Sequence, residues 1–261
     1  MVILGSLMSG WVRDQIKRTT AWWKLPGISP WRRSPRVAFV AATRLSEHDF
    51  WTDSALGTSL QRFRCDARVD IHLFFENALG LPEVYNQAID STANADIVVF
   101  LHDDVWLADD SLFEKLEAAL ARFDVIGVAG NTRRVAGQPA WLFSCIRNSE
   151  FVWDHDNLSG AIHHGSPERY EISSFGPSPA SCELLDGVFL ACRRSELVRH
   201  KIGFDQRFAF HFYDLDFCRS ARQAGMKLGT WPIELIHQSE GAFGSPGWAQ
   251  AYSSYLNKWR E

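Results

Sequence analysis

Five apolar residues, Ile97 to Leu101, run directly into His102-Asp103-Asp104. One imidazole and two carboxylates in consecutive positions are the donor types that hold a hard or borderline divalent cation. Two further polar groups sit where regular structure starts or stops. Asp214 and Asp216 open the stretch Phe212-Tyr-Asp-Leu-Asp-Phe-Cys218, and His237 follows the apolar stretch 228–236. Each group also has a plain structural reading: a solvated turn, helix caps, and a hydrogen-bonded loop histidine. The three together, in this order, are more specific than any one.

The elements that position them read as follows. Residues 97–101 are β-branched and apolar, as in a strand covered on both faces of a parallel sheet. Open α/β sheets bind ligands at the carboxyl ends of such strands. Val37 to Ala42 predicts a first strand ending at Thr43-Arg44, a place where α/β folds hold a nucleotide base. Residues 45–65 are amphipathic without a clear period, and 69–75 alternate like a second strand. Leu81 to Thr92 reads as a helix, with Pro82 in its first turn and Val84, Tyr85, Ala88 and Ile89 on one face. Ser111-Leu-Phe-Glu114 has the spacing of a capping box, and Val125 to Ala129 is another buried strand. Strand–helix alternation implies right-handed crossovers and a mostly parallel sheet.

Residues 131–183, rich in Gly, Ser, Pro, Asn and His, predict a long irregular insertion. Leu184 to Arg193 resumes a buried strand. Asp186-Gly187 interrupts its start, and glycine there suggests that a ligand or another backbone comes close. The helix opened by Asp214 and Asp216 ends at Gly225, and its dipole and free amides favour ionised carboxylates in the first turn. Residues 228–236 predict a last strand and Trp248 to Trp259 a terminal helix.

Composition narrows the class. The 261 residues are 46% hydrophobic and 22% charged, as in soluble globular proteins. A net charge of −4 gives no nucleic-acid footprint. Seven basic residues against one acid put +6 on residues 1–36, which also carry Trp11, Trp22, Trp23 and Trp31, and leave −10 on the rest. The domain reading is therefore a basic, Trp-rich extension over 1–36 and a single α/β domain over 37–261. The extension reads as a peripheral anchor on anionic lipid or as a packed helix and linker. Five cysteines, with no C-x-x-C pair, suit the reduced thiols of a cytosolic protein. No apolar run reaches the ~20 residues needed to span a bilayer.

Together, Val98-Val-Phe-Leu-His-Asp-Asp-Val105, Leu185-Asp-Gly-Val-Phe-Leu-Ala-Cys-Arg193, Gly203-Phe-Asp, Phe212-Tyr-Asp-Leu-Asp-Phe-Cys218, Ala224-Gly225 and His237 make the chain resemble family 2 glycosyltransferases of the GT-A fold, especially their glycosyltransferase-like branch. The resemblance covers about residues 37–240. It implies a GT-A-like α/β domain with a mostly parallel sheet flanked by helices. His102-Asp103-Asp104 stands where the family has its Asp-x-Asp motif, so Asp104 would bind the metal on the donor's diphosphate. His102 and Asp103 would contact metal and donor. His237 matches a late metal-binding histidine, Asp214 matches the base, and Asp186-Gly187 matches the segment flanking donor sugar and acceptor. His102 replaces the family's first Asp, and Tyr213 replaces the Glu of its Glu-Asp pair.

The resemblance implies an inverting, metal-dependent transferase using Mn²⁺ or Mg²⁺. Its donor would be a nucleotide-diphosphate sugar, with a UDP-sugar favoured, held in part by Thr43 and Arg44. Its acceptor would be a glycan or lipid-linked hydroxyl, in polysaccharide synthesis. Apart from the resemblance, which does not reach them, residues 131–183 read as the acceptor-side region and the basic 1–36 as a contact at the cytoplasmic face of a membrane. Asp216 would cap its helix or hold the loop after Asp186-Gly187. Two other readings remain. A sugar nucleotidyltransferase would show a Gly-rich basic loop after the first strand, which Thr43-Arg44-Leu-Ser-Glu is not. A catalytically silent nucleotide-sugar-binding module would account for the His102 and Tyr213 departures.

Overall fold

Val37–Ala42 forms strand β1 with all six side chains buried, and the rest of the main sheet is laid down on either side of it. The structure is a computed structural model describing residues 33–239 and 243–261. After β1 come helices α1 (Glu47–Asp53) and α2 (Ala55–Leu60), β2 (Val69–Phe74), α3 (Leu81–Ser91), β3 (Ile97–Leu101), β4 (Val105–Leu107), α4 (Leu112–Leu120), β5 (Val125–Gly127) and β6 (Ala129–Asn131). Four longer strands follow: β7 (Phe143–Arg147), β8 (Glu150–Trp153), β9 (Leu158–Ser166) and β10 (Arg169–Gly176). The chain then forms β11 (Ser181–Cys182), β12 (Leu184–Leu185), β13 (Phe189–Arg193), α5 (Arg194–His200), α6 (Tyr213–Gln223), β14 (Leu228–Thr230), β15 (Leu235–His237) and α7 (Pro246–Trp259).

The main sheet has the order β11-β14-β5-β13-β3-β1-β2. β1 pairs parallel with β2 and β3, and β14 pairs parallel with β5. β13 lies antiparallel between β3 and β5, and β11 is antiparallel to β14. The α/β class therefore holds: β1, β2, β3, β5 and β14 share one direction, and β13 and β11 run against them, so the sheet is mostly but not purely parallel. The reason is the route into β13. A parallel neighbour needs a crossover, usually a helix. Here the chain leaves β6, builds further β-structure, and returns through Asp186-Gly187 running the other way.

A second sheet has the order β12-β6-β9-β15-β4, with β10 paired to β9. The chain steps from one sheet to the other at 102–104, at Val128, at 177–180, at Glu183, at 186–188 and at 231–234. Strands expected as single runs over 125–129, 184–193 and 228–236 are each split by such a step. Both His102-Asp103-Asp104 and Asp186-Gly187 are thus switch segments between sheets. β15 pairs antiparallel with β4, with His237 opposite Val105, and Gln238 N–H donates to the Asp104 carbonyl at 2.9 Å.

Residues 131–183 are not the irregular insertion that their composition suggests. β7–β8 and β9–β10 are antiparallel hairpins. Their side chains are largely half-buried or exposed, so a strict apolar alternation has no core to face on most positions. Residues 45–65 resolve into two short helices separated by Ser54, whose Oγ accepts the Gly57 amide at 2.8 Å. Ser111 does not cap α4 with its side chain. The buried Asp109 organises that corner instead, accepting from Ser111 N–H, Lys115 Nζ and Glu234 N–H.

The core fills the space between sheet and helices with Phe39, Tyr85, Phe100, Phe189 and Phe217, all fully buried. The expected inner face of α3 is the observed one. Of the basic extension, residues 1–32 lie outside the described residues. Arg33 pairs with Asp96 at 3.0 Å and Arg36 with Asp70 at 3.1 Å, so these two charges face the domain. All five cysteines are free thiols. Among the described residues, no helix is long and apolar enough to cross a membrane.

Candidate active site at the junction of two sheets

β3 ends at Leu101, and the chain turns through His102, Asp103 and Asp104 before entering β4. The β4–β15 register carries His237 to the same place. One donor atom each from His102, Asp104 and His237 lies within 4.8 Å of the others. Asp104 Oδ1 and His237 Nε2 are 3.3 Å apart. Burial works against both charges, but the attraction between the two groups outweighs it. Asp104 is held well below the usual carboxylate range and His237 is raised above an ordinary imidazole. Burial lowers His102, which is therefore neutral at neutral pH. Asp104 Oδ1 is buried without a hydrogen bond, and a buried carboxylate oxygen without one is costly. Two imidazoles and a carboxylate with an unsatisfied oxygen fit a borderline divalent cation.

The second switch segment stands opposite. Asp186 accepts from the Trp141 indole Nε1 at 2.6 Å and from the Val188 amide at 2.7 Å. Gly187 is gripped from both sides: its N–H donates to Asp214 Oδ2 at 3.1 Å, and its carbonyl accepts from the Tyr213 hydroxyl at 2.9 Å. A Cβ on Gly187 would lie 2.3 Å from the Tyr213 hydroxyl oxygen. A ligand or another backbone was expected close to this glycine; what fills the space is the Tyr213 side chain. The same hydroxyl is 2.9 Å from His102 Nε2.

α6 brings Tyr213 and Asp214 to this point. It is entered through Phe212 in the left-handed region, φ +67°. Asp214 accepts from its neighbour's amide, Leu215 N–H, at 2.9 Å. Those donors were expected to favour its charge. Burial and the nearby Asp186 charge prevail instead and raise Asp214 to about 7. Asp216 does neither of the jobs expected of it. It is 1% exposed and binds α7, accepting from Lys258 Nζ and Trp259 Nε1 at 2.7 and 2.9 Å.

These groups line a cavity of about 280 Å³ that includes His102, Asp104, Trp141, Asp186, Asp214 and His237. A cleft of about 1000 Å³ adjoins it and contains Thr43, Arg44, Asn77, Leu79, Asp103 and Phe210. Asp103 and Asp104 belong to the wall that both share. Thr43 is buried, and its hydroxyl accepts from the Leu45 amide at 3.1 Å, so it shapes the cleft edge. Arg44 is exposed there. The structure thus brings His102, Asp104, His237, Asp186, Gly187 and Asp214 together and puts Thr43 and Arg44 in the neighbouring cleft. Sequence reasoning missed Trp141 as the partner of Asp186, and Phe210, whose ring stacks on His102 at 6.0 Å. A tryptophan inside a polar, Gly/Pro-rich stretch was the available signal for the first. An exposed phenylalanine in a turn gave little for the second.

Comparison with solved structures gives two broad likenesses. One is to the mannosyltransferase PcManGT from Pyrobaculum calidifontis in complex with GDP-Man and Mn2+. It has 13% identity and a TM-score of 0.49, over 98% of this chain and 72% of that one. The other is to GalNAc-T7 with UDP, GalNAc and Mn2+, at 10% identity and a TM-score of 0.50. It covers 98% of this chain, which spans only 57% of that one. At this identity the second likeness is one of fold. No curated protein matches by sequence. The sequence profile of the glycosyltransferase-like family matches residues 58–242, a stretch that holds both switch segments, α6 and His237. The chain belongs to the glycosyltransferase-like family and is a glycosyltransferase of the GT-A fold.

Proposed function

We propose that the protein is an inverting, metal-dependent transferase that moves a sugar from a nucleotide-diphosphate sugar to a hydroxyl of a glycan or lipid-linked acceptor. The observation that carries this reading is the convergence of His102, Asp104 and His237 on one cavity with Asp214, whose carboxyl titrates at about 7. GalNAc-T7, which shares the fold, was solved with UDP, GalNAc and Mn2+, in keeping with a UDP-sugar donor. Mn²⁺, or less readily Mg²⁺, held by the two imidazoles and the carboxylate would neutralise charge gathering on the departing diphosphate.

The chain's own residues have separate tasks. The nucleoside lies in the larger cleft along Thr43 and Arg44, with Asp103 at the shared wall beside the ribose. Asp186 and Gly187 hold the donor sugar against the smaller cavity. Trp141 keeps the Asp186 carboxylate turned toward it. Asp214 takes the proton from the acceptor hydroxyl. The bond from acceptor oxygen to anomeric carbon forms as the bond from that carbon to the phosphate oxygen breaks. The proton ends on Asp214 and the electron pair on the nucleoside diphosphate. A single base and no covalent intermediate give inversion. A base that titrates near 7 is well matched to neutral conditions. In this reading the enzyme works in the cytoplasm at the inner face of a membrane, with the basic, Trp-rich residues ahead of Arg33 on anionic lipid.

The test is a thermal-shift screen of UDP-, GDP-, TDP- and CMP-sugars with Mn²⁺ or Mg²⁺, followed by chromatography for released nucleotide and transferred sugar. Ligands that bind only the folded state raise its melting temperature. One donor should stabilise the protein in the presence of metal and be turned over. If no nucleotide-sugar shifts the melting temperature with either metal, the reading fails. Stabilisation with no turnover under any acceptor would leave a binding module.

A further inference from the structure

The two positions at which this chain departs from the family pattern, His102 and Tyr213, touch each other at 2.9 Å. The direction of that hydrogen bond follows from the donors available. A tyrosine hydroxyl has one proton to give. A carbonyl oxygen can only accept, and the Gly187 carbonyl lies 2.9 Å from the Tyr213 hydroxyl. Leaving that carbonyl unpaired in a buried place would cost about 1–3 kcal/mol. The Tyr213 proton therefore goes to Gly187, and the contact with His102 must be made by a proton on the imidazole.

The phenol is not free to turn away. Tyr213 is 2% exposed, and its ring is packed by Tyr85 and Phe204 at centroid distances of 5.9 and 6.0 Å. We propose that Tyr213 is a positioning residue. Its hydroxyl fixes His102 as the Nε2–H tautomer and so leaves the Nδ1 lone pair as the donor to the divalent cation. A neutral imidazole carries one proton, so the nitrogen that does not face the tyrosine must be the acceptor. Among the described residues, no hydrogen bond uses His102 Nδ1. This inference rests on the metal-binding reading of the His102–Asp104–His237 group. It adds to that reading a chain of contacts from a metal ligand to the base: His102 to Tyr213, Tyr213 to the Gly187 carbonyl, and the Gly187 amide to Asp214.

The tautomer can be read without metal or substrate. In metal-free protein labelled with ¹⁵N-histidine, long-range ¹H–¹⁵N correlation should show His102 with a protonated Nε2 and an unprotonated Nδ1. His102→Gln assigns the signal. Tyr213→Phe keeps the ring and should shift that pattern toward a mixture of tautomers. Loss of a second-layer partner of a metal-ligating histidine typically weakens metal binding by roughly 10–100-fold, and calorimetric titration with Mn²⁺ alone should show a loss of that size. In a His102→Gln background Tyr213→Phe should add no further loss.

An Nδ1–H tautomer in the wild type overturns the proposal, and that measurement stands even if Tyr213→Phe fails to fold. Unchanged Mn²⁺ affinity in folded Tyr213→Phe overturns it too. Tighter binding would mean that Nε2 is the ligand and that the tyrosine competes for it. Absence of Mn²⁺ binding in the wild type would sink the metal-binding reading itself, while the nitrogen shifts still decide the tautomer.

Discussion

Asp104 and His237 face each other across the edge where β4 meets β15, with Oδ1 and Nε2 3.3 Å apart. The ion pair holds Asp104 below the usual carboxylate range and His237 above that of an ordinary imidazole, so it contributes some stability, while one buried carboxylate oxygen is left without a hydrogen bond. Asp104→Ala should abolish metal-dependent nucleotide binding and leave the fold intact, with a modest drop in melting temperature from loss of the pair with His237. His237→Ala should weaken Mn²⁺ binding less completely. Calorimetry with Mn²⁺ and nucleotide checks both. Unchanged affinity in Asp104→Ala would remove this residue from the metal group.

Mn²⁺ binding at this pair should depend on pH. Against the effect of burial, His237 is raised above an ordinary imidazole by Asp104, so it keeps its proton to higher pH than a free one would. Metal must displace that proton, so affinity should rise with pH until His237 is neutral and level off above that. Titrations at several pH values between 6 and 9 measure the slope. A flat profile would mean that His237 is not a ligand.

Asp214 is poised differently from a surface carboxylate. With its carboxyl at about 7, a growing share is protonated as pH falls below neutrality, and a carboxylic acid cannot accept the acceptor's proton. The wild-type kcat should therefore fall on the acid side of about pH 7, with a slope near one. Asp214→Asn should lose about 10²–10⁴-fold in turnover while the nucleotide dissociation constant changes little. Retained turnover in this variant would place the base elsewhere.

Asp216 makes the contrasting case. Its carboxylate is buried between Lys258 and Trp259, and removing one partner of a buried ion pair costs about 3–5 kcal/mol. Asp216→Ala should lower the melting temperature markedly and loosen α7, while kcat per folded molecule stays near wild type below the transition. A loss of turnover with no loss of stability would reverse the assignments of the two aspartates.

The basic segment can be tested apart from the domain. Arg33 and Arg36 are engaged with Asp96 and Asp70, so the cut belongs at residue 32 rather than 36. Deleting residues 1–32 should reduce co-sedimentation with anionic liposomes and leave nucleotide affinity unchanged. Equal sedimentation of both forms would end the idea of a peripheral anchor.

The parts of the site that lie at element ends were legible in the sequence. Ile97–Leu101 is apolar without interruption because both faces of β3 are covered, and the sudden change to His102-Asp103-Asp104 marks where cover ends. The α3 face and the Gly225 stop followed from local periodicity and backbone preference. The direction of β13 did not, because a buried strand reads the same in either direction. The β-structure of 131–183 was hidden by half-exposed strands. The charge state of Asp214 was misjudged because local amides can be counted from sequence, whereas its burial and the Asp186 charge beside it arise only through the fold. Tyr213 looked like a missing glutamate and is a hydrogen-bond partner of the other substituted residue.

The β4–β15 register has a consequence for biosynthesis. His237 meets Asp104 only when the last strand of the second sheet has paired with one made much earlier, and pairings between distant segments form slowly. A chain still emerging from the ribosome offers His102 and Asp104 long before their third companion exists. A slip of one residue in β15 would turn His237 to the opposite face of the sheet. Cation capture would then report correct pairing of β15 with β4 as well as prepare the site for turnover, and a misregistered molecule would stay inert toward its donor.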